Sequence, residues 1–162
     1  MCQFIAAFIL ILIAVCNASG IEKADRVVVI KSEKSVRLYN GEHLLGTYPV
    51  VFGGNRVGHK QQEGDKRTPE GKYILDFKKA DSAFYKAIHI SYPNEHDLEN
   101  AKKRGVSPGS SIMIHGQKNG FGWASFLSQY FNWTNGCIAL SNKNMEIVWQ
   151  LVDTGTPIEI RP

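Results

Sequence analysis

Two side chains in this sequence could together form an acyl-transfer catalyst. Cys137 lies in the run Thr134-Asn135-Gly136-Cys137-Ile138-Ala139-Leu140, and His115 ends the short apolar run that begins at Ser111 and is followed by Gly116. A nearby imidazole lowers the effective pKa of a thiol, takes its proton and later returns it to a leaving group, so the acyl group is held on sulfur as a thioester. Glycine before the nucleophile permits a tight turn, in which the Cys137 amide and a neighbouring amide would face the developing oxyanion. Neither residue carries the assignment alone. A histidine at a strand end serves structure as readily as chemistry, and a cysteine can be a small buried hydrophobe.

The 162 residues, 43% hydrophobic and 21% charged, suit one domain with one core. The first twenty differ from the rest: Phe4 to Val15 is unbroken apolar sequence, followed by Cys16-Asn17-Ala18-Ser19-Gly20. That run is too short to cross about 30 Å of hydrocarbon as a helix. With small residues at Ala18 and Gly20 as cleavage positions, residues 1–19 read as a secretory signal peptide, although Met1-Cys2-Gln3 lacks the usual positive charge. An uncleaved anchor is a competing reading. So is a lipid-bearing Cys16, weakened by Val15 where a small residue is wanted. Loss of the segment removes Cys2 and Cys16 and leaves Cys137 unpaired in an exported, periplasmic or envelope-facing protein, where a free thiol invites oxidation unless a reaction requires it. The net charge of +4 and pI near 9.0 come from dispersed Lys and Arg, with only Lys102-Lys103-Arg104 clustered. This excludes a nucleic-acid case, and a mildly basic surface suits an anionic envelope. One mature cysteine and five dispersed histidines show no paired ligand spacing, which disfavours a metal site.

The elements that must position the pair are mostly strands. Runs at Val27 to Ile30, Val36 to Tyr39 and Leu44 to Phe52 are separated by turns such as Asn40-Gly41, a hairpin signal. Gly53 to Gly71 reads as a long surface loop, Lys72 to Phe77 and Ala87 to Tyr92 as strands, Ser111 to His115 as a short strand, and Thr156 to Ile160 as the last. Large apolar residues from Trp123 to Phe131 have the spacing of a short amphipathic helix, which assigns Trp123 to the core. Ser141 caps a second helix carrying Met145, Val148, Trp149 and Val152 and ended by Gly155. The expected fold is mainly β: a single mixed, mostly antiparallel, sandwich-like domain over residues 26–161 with two short helices.

These segments resemble the L,D-transpeptidase family, whose catalytic module is the YkuD domain. The resemblance rests on Ile112-Met113-Ile114-His115-Gly116, on Thr134 to Leu140, on Val27 to Tyr39 as opening hairpin, on Thr68-Pro69-Glu70-Gly71-Lys72-Tyr73 and on the closing Thr156 to Ile160. The turn at Cys137, with Ile88 to Asn94 upstream, is similar to the YafK-type murein branch. The resemblance implies Cys137 as nucleophile, His115 as proton donor and acceptor, Gly136 and Cys137 as the oxyanion turn, and peptidoglycan stem peptides as substrate, with no metal or organic cofactor. It also implies a choice of acceptor: an amine gives transpeptidation, and water gives hydrolysis that would release a peptidoglycan-linked envelope protein or peptide. An inactive peptidoglycan-binding module is the reading from another class. Three departures motivate it: Gly116 stands where relatives carry Ser or Thr, so only a backbone carbonyl is left to orient the imidazole; Asn135 replaces His; and Ala139 replaces a frequent Arg.

Thr134, Asn135, Tyr92 and His89 are the remaining candidates for substrate contact, His89 with a structural role as its competitor. Tyr92, Trp123 and Trp133 are candidates for contact with glycan or peptide, with core packing expected for at least two of them. His43, His59 and His96 stand in polar contexts and are expected in solvent. A monomer is expected.

Overall fold

A computed structural model of the chain describes residues 20–162, so the signal-peptide reading of residues 1–19, with Cys2 and Cys16, lies outside the described residues. Eight strands follow in the order β1 (Arg26–Ile30), β2 (Ser35–Asn40), β3 (His43–Pro49), β4 (Gly71–Lys79), β5 (Ala87–Ile90), β6 (Met113–His115), β7 (Ile138–Ala139) and β8 (Thr156–Arg161). They form one sheet in the spatial order β3-β2-β1-β8-β4-β5-β6-β7. Two pairings are parallel, β1 with β8 and β6 with β7, and the other five are antiparallel. The fold is therefore mainly β and mixed, as the strand pattern predicts. The sheet curls on itself. Val51, just past β3 at one end of the order, bridges Ala139 of β7 at the other, and residues from both ends share one core with Val27, Leu38, Ile114 and Ile138.

Helix α3 (Asn142–Leu151) closes this core as its spacing predicts, with Met145 and Val148 fully buried and the Ser141 hydroxyl accepting from the Asn144 amide at its N-terminus. The helix stops at Leu151, four residues before Gly155. The number of helices differs from the expected two, because α1 (Glu95–Lys103) has no apolar stripe to reveal it. Its anchor is polar. Asn94 and Asp97 form a reciprocal capping box, and the buried Asp97 carboxylate also accepts from the Tyr73 hydroxyl at 2.9 Å and from His59 Nε2 at 3.0 Å. His59, expected in solvent, is thus a tether between the 53–70 loop and α1; its Nδ1 accepts from the Glu70 amide at 3.0 Å.

Two further expectations are corrected. The 53–70 segment is not simply a surface loop, since Lys60 is 3% exposed and Thr68 is fully buried. The Trp123–Phe131 stretch folds as a 3-10 turn (Gly122–Ala124) and the single turn of α2 (Ser125–Ser128), and it faces outward: Trp123 is 73% exposed and Tyr130 74%. Periodicity identifies a common face but not what that face meets. Among the described residues no helix is long and apolar enough to cross a membrane.

Candidate active site

Main-chain pairing brings the thiol and the imidazole together. His115 ends β6 and pairs with Ala139 of β7, while Ile114 pairs with Ile138; one more step in this register sets Cys137 beside Met113. The Leu140 amide donates to the His115 carbonyl at 2.9 Å, and Val51 exchanges amide–carbonyl bonds with Ala139 from the other side. His115 therefore belongs to a strand hydrogen-bonded to the segment that follows Cys137.

The turn before Cys137 is braced from within and from outside. The Thr134 hydroxyl donates to the Cys137 carbonyl at 2.7 Å and accepts from the Gly136 amide at 3.2 Å. From the 53–70 segment, the buried Thr68 hydroxyl donates to the Gly136 carbonyl at 2.8 Å. Gly136 has φ +123°, and a Cβ there would lie 2.6 Å from the Arg67 carbonyl oxygen, so only glycine fits. These contacts revise two expected roles. The Gly136 amide is turned into the loop rather than toward an oxyanion, and the Thr134 hydroxyl is spent on the turn. The Cys137 amide has no acceptor among the described residues and remains the donor available to a substrate.

His115 is 4% exposed, and its Nδ1 lies 2.6 Å from the Gly116 carbonyl oxygen. A carbonyl only accepts, so Nδ1 carries the proton and Nε2 is left as the base. Gly116 must be glycine here, because a Cβ would meet Asn142 Oδ1 at 2.7 Å and the Tyr85 carbonyl at 2.8 Å. The Phe84 ring lies 4.3 Å and the Trp133 ring 5.9 Å from the imidazole, centroid to centroid. Burial in this setting holds the imidazole below its usual pKa, with the Gly116 bond opposing.

The thiol departs from the sequence-based expectation. Burial pushes Cys137 above the ordinary thiol value, and the Met113 amide and the Lys60 ammonium only partly offset it. Its sulfur faces the Ser111 carbonyl at 3.7 Å, and Ser111 itself has φ +60°, a left-handed conformation that costs a non-glycine residue about 1 kcal/mol. Both shifts favour the uncharged forms, a neutral thiol and a neutral imidazole, over a preformed thiolate–imidazolium.

Cys137, His115, Thr134, Asn135 and Trp133 line one cavity of about 370 Å³, with Phe84 and Met113 among its walls. A second cavity of about 470 Å³ shares Ser111 and Asn135 with the first and is lined by Lys60, Glu63 and Lys66. Asn135 stands between the two. Tyr92 is not brought to the site: it is 3% exposed, packs edge-on against Tyr73 and donates its hydroxyl to the Pro108 carbonyl. His89 does not line the cavity either, since its Nδ1 is 2.7 Å from Asp76 and its ring stacks on Phe77. Phe84, Met113, Ser111, Lys60 and Thr68 are the site residues that spacing missed. Only Thr68 had a signal, through the Thr-Pro-Glu-Gly run.

Residues 24–160 match the YkuD family, the L,D-transpeptidase catalytic domain. The chain is 30% identical over 132 residues to a candidate L,D-transpeptidase, YafK of Escherichia coli (strain K12), a match that covers 78% of this chain and 46% of YafK. Among solved structures it is similar to the helical cell shape determining protein Pgp2 of Campylobacter jejuni (K307A mutant), with TM-score 0.63 and 27% identity over 86% of this chain and 47% of that one. Bd1075 of Bdellovibrio bacteriovorus shares the fold, with TM-score 0.58 and 24% identity over 86% of this chain and 48% of the other. The chain thus spans about half the length of these relatives. With the matched span taking in every strand of the sheet and both members of the Cys137–His115 pair, the chain belongs to the L,D-transpeptidase (YkuD) catalytic-domain family.

Proposed function

We propose that this chain is an exported, envelope-facing cysteine acyltransferase that acts on the tetrapeptide stems of peptidoglycan through a Cys137 thioester. The observation that carries the reading is one cavity lined by a thiol without a disulfide partner among the described residues and by a buried imidazole whose Nε2 is free to accept a proton. In the first half-reaction Cys137 Sγ attacks the carbonyl of the third stem residue as His115 Nε2 takes the thiol proton. The Cys137 amide stabilises the oxyanion. Collapse breaks the amide bond, and the protonated imidazole delivers its proton to the departing amine of the terminal D-Ala. In the second half-reaction an amine of a neighbouring stem attacks the thioester, His115 takes a proton from that amine, and the sulfur leaves and is reprotonated.

A neutral resting pair fits this cycle, because proton transfer then accompanies attack and no exposed thiolate waits to be oxidised. The test is incubation with a tetrapeptide-bearing muropeptide. Release of D-Ala, a mass increase on Cys137, covalent trapping of the same thiol by a carbapenem, and loss of all three in Cys137→Ala are expected. New 3→3 cross-links mark transfer to an amine, whereas loss of a linked peptide without new cross-links marks transfer to water. Binding of muropeptide without acylation would overturn the enzymatic reading in favour of a binding module.

A further inference from the structure

Between Lys118 and Lys143 the sequence has no charged side chain, and this neutral stretch contains the most exposed apolar surface of the described chain. Phe121, Trp123, Phe126, Tyr130, Phe131 and Trp133 are 36–74% exposed, and Leu127 is the one aliphatic residue among them. A ridge of this kind is not left to water without a partner. It is also not remote from the chemistry. Trp133 lines the Cys137 cavity, its ring stacks at 6.0 Å on Phe84, and the Asn132 side chain accepts from the Phe52 amide at 3.1 Å, which fastens the ridge to the sheet beside the catalytic turn.

We propose that this ridge is a glycan platform that holds the sugar strand of the substrate while its peptide is processed at Cys137. The inference rests on the peptidoglycan reading above. A stem whose third carbonyl sits at the thiol is joined to its amino sugar through three residues, and three extended residues span about 10 Å. The sugar must therefore lie on the surface that borders the cavity. Six of the seven bulky side chains are aromatic, which suits the C–H faces of pyranose rings: the negative face of an aromatic ring meets the weakly positive sugar C–H groups. The ridge's own sequence has no Lys or Arg, and a single flanking ammonium, Lys118, lies over the Phe121 ring at 5.9 Å; this matches an uncharged polysaccharide better than an anionic lipid surface, which recruits several basic residues beside apolar ones. Within the ridge, both polar atoms of the Gln129 carboxamide are buried without a partner among the described residues. An N-acetyl group offers the matching donor and acceptor, and a small adjustment of the ridge on binding brings them together.

The experiment compares kcat/KM of the full chain on a disaccharide tetrapeptide and on the same tetrapeptide without sugar, alongside a fluorescence titration with a peptide-free β-1,4-linked N-acetylglucosamine oligosaccharide. Wild type should prefer the disaccharide substrate by tenfold or more. Trp123→Ala and Tyr130→Ala, at exposed positions, should collapse that ratio toward one and weaken the titration at least fivefold. Equal ratios in wild type and variants, with unchanged titrations, overturn the platform. Loss in the variants of binding to anionic vesicles, or of a concentration-dependent dimer, with no change in the ratio, overturns it in favour of a membrane or a second copy. If neither substrate turns over, the acyltransfer reading fails, and the titration alone decides the platform.

Discussion

The Thr68 hydroxyl and the Gly136 carbonyl, 68 positions apart, are joined by a buried hydrogen bond of 2.8 Å. Through it the 53–70 segment holds the turn that presents Cys137. Replacement by a shape-matched apolar residue isolates its mechanical role. Thr68→Val leaves the Gly136 carbonyl unpaired in a dry setting and should lower stability by about 2 kcal/mol. The denaturant midpoint reads this. Turnover should fall while carbapenem acylation slows in parallel, because both require the same turn; an unchanged acylation rate would show that the turn holds without Thr68.

The neutral resting pair predicts how Cys137 reacts with pH. Its alkylation by iodoacetamide should rise only above pH 9.0, the ordinary thiol value, because burial disfavours the thiolate in the fold. A plateau of reactivity reaching below pH 7 would instead reveal an ion pair with His115. Stability follows the same sign. The unfolded chain releases the thiol proton first, so the contribution of Cys137 is full below pH 9.0 and is lost as pH rises toward the higher folded value.

Phe84, whose ring lies 4.3 Å from that of His115, is expected to govern the acid limb of the proposed activity. The imidazole must be neutral to act, and its folded pKa lies below 6.5, so activity should persist below that pH. Phe84→Ala admits water beside the ring and should move the acid midpoint up toward 6.5 without altering the alkaline side. The pH profile of kcat/KM checks it. An unmoved midpoint would mean that Trp133 and the sheet alone keep the ring dry.

Asp97 is the polar anchor of α1. Burial raises its pKa, but bonds from His59, the Asn94 amide and Tyr73 outweigh that and hold it below the ordinary 3.8. Its stabilising contribution is therefore complete above pH 3.8 and is lost as pH falls through the lower folded value. Asp97→Ala strands three donors and should cost about 3 kcal/mol, read by thermal or denaturant unfolding. Catalytic constants measured well below the melting temperature should change little, since α1 does not line the Cys137 cavity.

What could be read from the sequence was local. The Asn40-Gly41 hairpin and the Ser141-capped helix with Met145 and Val148 are fixed by neighbours in the chain, and both fold as their patterns require. The failures involve surroundings that spacing does not encode. Helix α1 is built on a buried carboxylate rather than an apolar stripe, although Asn94 and Asp97 carried a capping signal. The apolar face of residues 123–131 was visible, but not that it looks outward. At the site, the types and order of His115, Gly116 and Cys137 were readable. The direction of the thiol's shift was not, because it arises from burial by Ser111, Met113 and other residues distant in sequence.

The placement of β8 bears on the order of synthesis. β8, the last strand among the described residues, lies between β1 and β4, parallel to one and antiparallel to the other. Until residues 156–161 emerge, the early hairpin and the segment carrying His115 and Cys137 share no full strand pairing and can meet only through the short bridges Val51–Ala139 and Gly53–Thr134. Long-range pairing of this kind postpones closure of the core. A nascent chain is thus kept open until residues 156–161 are made, and loss of that strand divides the sheet at its middle instead of trimming an edge.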